Sequence, residues 1–191
     1  MAEVLYHVSP TPGLTVLTPR VSSHGKPYVY AIDDLTTGLL FGTKKDDFDF
    51  LLSTGEDGIP DVFECYPGAF RGVYQGKSCS VYEVSGDTFL RGMTSWTSEL
   101  VSESAVPILR ELPIPDLYAA LLEREKQGVL RVHPYSHSPE YRALIASHVA
   151  DRMIRFDLDL ERITETDPRF TTHFNRLVTA LREAMDGHLL A

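Results

Sequence analysis

The sequence has little cysteine. Its 191 residues include two, Cys65 and Cys79, too few for a disulfide framework or a closed zinc site. Long apolar runs are missing as well: charge or proline interrupts every stretch before the roughly 18 residues a membrane span requires. Nothing at the N-terminus resembles a signal peptide. These absences predict a soluble, cytoplasmic protein with reduced thiols and no membrane partner. Basic charge is in short supply, with 18 Lys and Arg against 27 Asp and Glu for a formal net charge of -9. A field of that sign repels phosphate backbones at long range, so the chain carries no strong nucleic-acid signature. The GxxxxGK[ST], GxGxxG, HExxH and GxSxG patterns are also lacking, which removes sequence support for phosphate-loop, Rossmann, zincin and hydrolase-elbow chemistry.

What is present is a change of texture along the chain. Residues 1–112 read as short β-branched and aromatic runs separated by glycine, proline and serine clusters. Strands are expected at Val4 to Val8, Tyr28 to Ile32, Phe48 to Leu52, Val62 to Tyr66, Ser80 to Val84 and Glu99 to Val101, the last continuing through Ser104 to Leu109. A short helix capped by Asp33 or Asp34 carries Leu35, Leu39 and Leu40. Residues 113–191 read as helical and packed on the β-rich part as one domain. Asp116 begins one helix, with Leu117, Leu121 and Leu122 on a face and Gly128 at its end. Ser138 and Pro139 begin another, with Leu144, Ile145, Val149, Met153 and Ile154 at helical spacing. Asp167 and Pro168 begin the last, burying Phe170, Phe174, Leu177, Val178 and Leu181. Strands first and helices last predict an α+β fold rather than βαβ alternation.

Several polar clusters have structural explanations. Asp46, Asp47 and Asp49 read as a solvated turn leading into a strand rather than a metal site. Cys65 reads as a buried, inert thiol. His133 and His137 straddle a proline, which denies them the helical register a shared metal needs, and they read as loop residues. Glu64, Glu83 and Glu99 all sit on expected strands, and a carboxylate buried there needs a partner. Trp96 suits either a pocket wall or the core.

His7 is the exception, a histidine at the centre of an apolar strand in LYHVS. Together with GKPYVYA at residues 25–31 and SELVSESAVPI at residues 98–108, it resembles the ADP-ribosyltransferase superfamily, in particular the diphtheria-toxin and poly(ADP-ribose) polymerase branch with its histidine, tyrosine and glutamate on three strands. The resemblance covers residues 1–112 and implies a split β-sheet core with NAD as co-substrate. By resemblance His7 would hydrogen-bond the NAD ribose, Ser9 would contact the nicotinamide amide, Tyr28 or Tyr30 would stack on nicotinamide, and Glu99 would hold the ribose whose glycosidic bond breaks. Independently of family, a carboxylate stabilises the oxocarbenium-like ribose more in the transition state than in the ground state, and an aromatic face suits a flat cationic ring. Tyr28 and Tyr30 share a strand face by alternation, while strict alignment sets Val29 at the stacking position.

The resemblance implies ADP-ribosyl transfer to a protein or nucleic-acid acceptor, or NAD glycohydrolysis. Thr97 stands where arginine-modifying relatives carry a second glutamate, which argues against an arginine acceptor. The RNA 2'-phosphotransferase branch needs several arginines, and the first strands offer only Arg20. The alternative is a catalytically silent ligand-binding or protein-interaction module. Position separates the two, since the enzyme requires His7, a tyrosine and Glu99 around one cleft.

Overall fold

The computed structural model describes residues 3–21, 25–94, 98–180 and 182, so Trp96, Thr97 and Leu181 lie outside the described residues. The fold is α+β, with a mostly antiparallel sheet in the N-terminal part and helices toward the C-terminus. Strands β1 (Val4–Ser9), β2 (Val16–Leu17), β3 (Arg20–Val21) and β4 (Pro27–Ile32) precede α1 (Leu35–Leu39). Then come β5 (Phe50–Thr54), β6 (Pro60–Glu64), α2 (Ala69–Tyr74), β7 (Cys79–Ser85), β8 (Leu90–Arg91), β9 (Glu99–Ser102) and β10 (Val106–Ile114). The chain continues with α3 (Leu117–Lys126), β11 (Arg131–His133), α4 (Pro139–Arg155), α5 (Leu160–Thr166) and α6 (Arg169–Thr172). Eight strands form one sheet in the order β2-β10-β7-β1-β4-β9-β8, with β3 on β4. A separate three-stranded sheet has the order β11-β6-β5.

The chain divides into two compact units. The first comprises Met1–Lys45, Leu52–Val62 and Phe70–Val132. One face of its large sheet buries Leu5, Leu17, Val29, Ala31, Val84, Leu100 and Val106 as a single cluster. On the other face α1 lies so close to β1 and β4 that a Cβ on Gly38 would stand 3.0 Å from Ile32 Cγ2 and 3.2 Å from Val8 Cγ2. The expected caps form: Asp34 accepts the Thr36 and Thr37 amides at the start of α1, and Asp116 accepts the Ala119 amide at the start of α3. Gly128 follows α3 at φ 75°, the left-handed conformation that closes a helix end. Leu122 is 38 % exposed rather than buried, because Leu117 and Leu121, four residues apart, already supply the inward face.

The second unit comprises Asp46–Leu51, Phe63–Ala69 and His133–Ala191. Ser138 caps α4 with Pro139 in its first turn, as the sequence predicts. Ile145, Val149 and Met153 repeat every four residues and pack with Phe48, Phe170, Phe174 and Val178. Leu144 and Ile154 fall to the sides of that stripe and are 41 % and 80 % exposed, so they are not core residues. The last expected helix is broken. Thr171 and Thr172 both donate their hydroxyls to Pro168 O, competing with the backbone ladder, and the chain turns at residues 173–174 before a further helix at 175–180.

Residues 46–49 lead through a turn into β5 as expected, with Asp46 exposed, but Asp49 is buried rather than solvated. Arg169 donates to Asp46 Oδ1 and Asp49 Oδ1 at 2.8 Å each, and to Asp167 Oδ2 at 2.6 Å. Asp49 is buried and also accepts the Tyr66 hydroxyl at 2.7 Å. Burial works to raise the Asp46 carboxyl, but its hydrogen bonds, led by Arg169, outweigh that and hold it below its ordinary 3.8. Stability from Asp46 is therefore present above that value and lost as pH falls through its lower native one. Replacing Arg169 with Met strands the buried Asp49 and the half-buried Asp167 and is expected to cost about 3 kcal/mol in urea unfolding at pH 7. A loss under about 1 kcal/mol would show the cluster to be an ordinary surface network.

Candidate ligand site at the opening between β1 and β4

Six residue pairs join β1 to β7, from Val4 opposite Ser85 to Ser9 opposite Ser80. The recorded register between β1 and β4 consists of Tyr6 opposite Ile32. Beyond that pair His7 takes over: its Nδ1 lies 2.8 Å from Tyr30 O. A carbonyl only accepts, so Nδ1 carries the proton and His7 closes with its side chain a gap the ladder leaves open. Burial pushes the His7 imidazole below its ordinary 6.5, the Tyr30 bond opposes this, and the Arg20 charge adds to the lowering. His7 is thus neutral at pH 7, and Nε2 is left as a hydrogen-bond acceptor.

A cavity of about 290 Å³ occupies this opening. Its lining includes His7, Val8 and Ser9 from β1 and Tyr28, Val29 and Tyr30 from β4. Successive strand residues point to opposite faces, so a lining that takes three in a row from each strand runs between the strand edges. Arg20 supplies a cation to the same wall. Tyr28 and Tyr30 meet edge to face at 6.0 Å.

The loop over the cavity is tethered from below. Tyr82, opposite His7 on β7, donates its hydroxyl to Thr11 O at 2.7 Å and accepts the Leu14 amide at 3.2 Å. Glu111 on β10 accepts the Gly13 amide at 3.1 Å and the Ser80 hydroxyl at 2.6 Å. These bonds, Ser80 first and Gly13 second, hold the Glu111 carboxyl below its ordinary 4.5. Gly13 sits at φ 73°, where a side chain would be strained.

Of the residues singled out in the sequence, His7, Ser9, Tyr28 and Tyr30 line this one cavity. Glu99 is not among its lining residues. It pairs with Ile32, and Ile32 with Tyr6, so Tyr6, Ile32 and Glu99 form a row on one sheet face. His7 is one residue out of that register and points to the other. Val29 shares the His7 face and is buried in the core cluster. The remaining strand glutamates are structural. Glu83 pairs with Arg110 through the Arg110 Nε at 2.9 Å. Glu64 is buried and has the partners a buried carboxylate needs, accepting the Gly68 and Tyr135 amides at 3.2 and 3.0 Å. His133 is a β11 residue stacked on Phe63 at 4.1 Å rather than a loop residue.

Sequence reasoning missed Tyr82 and Glu111, because neither the alternation of VYEVS nor that of RELPI shows which cross-strand neighbours sit beneath a loop. Comparison with protein-family models, curated proteins and solved structures gave no match for this chain.

His7→Ala removes the hydrogen bond to Tyr30 O and is expected to cost about 0.5–1.5 kcal/mol, with His7→Asn recovering part of the loss through its amide N–H. In nitrogen-detected NMR the imidazole is expected as the Nδ1–H tautomer, titrating below 6.5. Its contribution to stability is then complete above 6.5 and declines as pH falls below it. A titration midpoint above 6.5 would contradict this environment.

Proposed function

We propose that this chain is an ADP-ribosyltransferase-like protein that binds NAD with its nicotinamide–ribose end at the opening between β1 and β4. The observation that carries the proposal is that His7, Ser9, Tyr28 and Tyr30 all contribute to the lining of one cavity between the strand edges, although the register sets the tyrosine side chains on the Glu99 face. That cavity lies where an antiparallel sheet parts, in keeping with the split-sheet core the sequence resemblance implies. Its volume is at the lower end of the roughly 300–1,000 Å³ typical of small-molecule pockets, a fit to half of a dinucleotide rather than all of it. A neutral His7 with Nε2 free to accept suits a ribose hydroxyl, which has a proton to donate. Tyr28 and Tyr30 offer the aromatic surface a cationic ring favours.

Turnover adds a requirement. Breaking the bond between nicotinamide and ribose leaves positive charge on the sugar, and a carboxylate has to face it. Glu99, at the first position of β9, is the residue that would serve, passing ADP-ribose to a protein or nucleic-acid acceptor or to water. The second reading, a catalytically silent ligand-binding module, is favoured by the register that sets Glu99 on the face opposite His7.

Calorimetric titration of NAD into the wild type, His7→Ala and Glu99→Gln, with nicotinamide release followed in the same samples, tests both readings. Saturable binding is expected, weakened roughly tenfold by His7→Ala through loss of one hydrogen bond. Release that disappears in Glu99→Gln assigns the enzyme; binding without release assigns the silent module. No binding at millimolar NAD overturns the proposal.

A further inference from the structure

The second unit contains a groove that NAD binding does not use, of about 340 Å³. α4 contributes Ala143, Ile145 and Ala146 to it, and the helix at 175–180 contributes Leu177 and Ala180. Phe174 and Cys65 complete the apolar lining. Burial is the main cause that pushes the Cys65 thiol up to about 12. Cys65 is therefore a neutral wall atom and not a nucleophile.

The rim has a different chemistry. Arg142 and Arg176 both line the groove and are exposed. Among the described residues neither guanidinium is ion-paired, whereas Arg131, Arg152 and Arg169 each hold a carboxylate. In a chain with 27 acidic side chains and 18 basic ones, carboxylates are the abundant partner. Among the described residues these two take none, and both stand on the edge of one apolar groove. A guanidinium offers parallel N–H donors matched to a carboxylate, and the apolar floor rewards a hydrocarbon body beside it.

We infer that this groove binds a small amphipathic carboxylate, its apolar body on Ile145, Phe174 and Leu177 and its carboxylate at Arg142 and Arg176. The site is separate from the His7 cavity and does not depend on what binds there.

Titration of octanoate into the full chain tests the inference. One saturable site is expected, with affinity reduced roughly tenfold or more in the double variant Arg142→Gln, Arg176→Gln, in line with loss of charge-assisted hydrogen bonds. Ala146→Leu fills the groove without altering charge and is expected to abolish binding while the far-ultraviolet circular dichroism stays unchanged. It also carries the test if the double variant does not fold. His7→Ala is expected to leave octanoate affinity unchanged, which separates this site from NAD binding. Absence of saturation, or equal affinity in wild type and both groove variants, would overturn the inference. So would sedimentation with phosphatidylglycerol vesicles in the absence of octanoate binding, which would identify a membrane surface instead.

Discussion

The hydrogen bond from His7 Nδ1 to Tyr30 O is the constraint around which the first unit is arranged. Where β1 and β4 part, the register consists of one residue pair, and the imidazole brings Tyr30 O a donor from the neighbouring strand. An imidazole is long enough to cross that widening gap and still donate one N–H. Its other nitrogen and the strand edges on either side then become the wall of a cavity. A histidine in an apolar strand is thereby accounted for in structural terms, and the ligand reading rests on what remains free after that duty is met.

The second unit is organised by charge as well as by packing. Arg169 collects Asp46, Asp49 and Asp167, three acids from two separate stretches of chain. Removing Arg169 would leave several charges of one sign together, which is why such a cluster fixes the relative position of the turn before β5 and the start of α6 even where its net contribution to stability is small. Phe48 and Phe170 meet edge to face at 5.1 Å beside it, so the ion cluster and the apolar core constrain the same segments.

What the sequence made legible followed from local rules. The caps at Asp34, Asp116 and Ser138 and the glycine at 128 are short-range chemistry, and all appear. Strand existence was readable at β1, β4, β7 and β9, where β-branched and aromatic residues cluster. Boundaries were less so: β5 and β6 begin at Phe50 and Pro60 rather than Phe48 and Val62, and β10 is a separate, longer strand. The two-residue strands β2, β3 and β8 carry no periodicity to read. Long-range facts were out of reach. Asp49 looks like a turn residue until Arg169, 120 positions away, reaches it. Likewise the order of His7, Tyr30 and Glu99 along the chain says nothing about which sheet face each occupies. One residue of register decides that.

The outer strands of the large sheet have a consequence for the life of the protein in a crowded solution. β2 and β8 are two residues each, and β2 covers β10 only at Val106 and Pro107. Thr15 O accepts the Ile108 amide and Gly13 reaches Glu111, so among the described residues no strand pairs with the rest of β10 on this side, the kind of edge on which a second chain extends a sheet. Pro113 has no amide hydrogen to offer there, Arg110 and Glu111 bring charge to its middle, and the ladder to β7 is irregular between Ile108 and Arg110. An incoming strand would meet missing donors and a kink before it could register. The sheet's growth at this edge is thus limited by the composition of one strand.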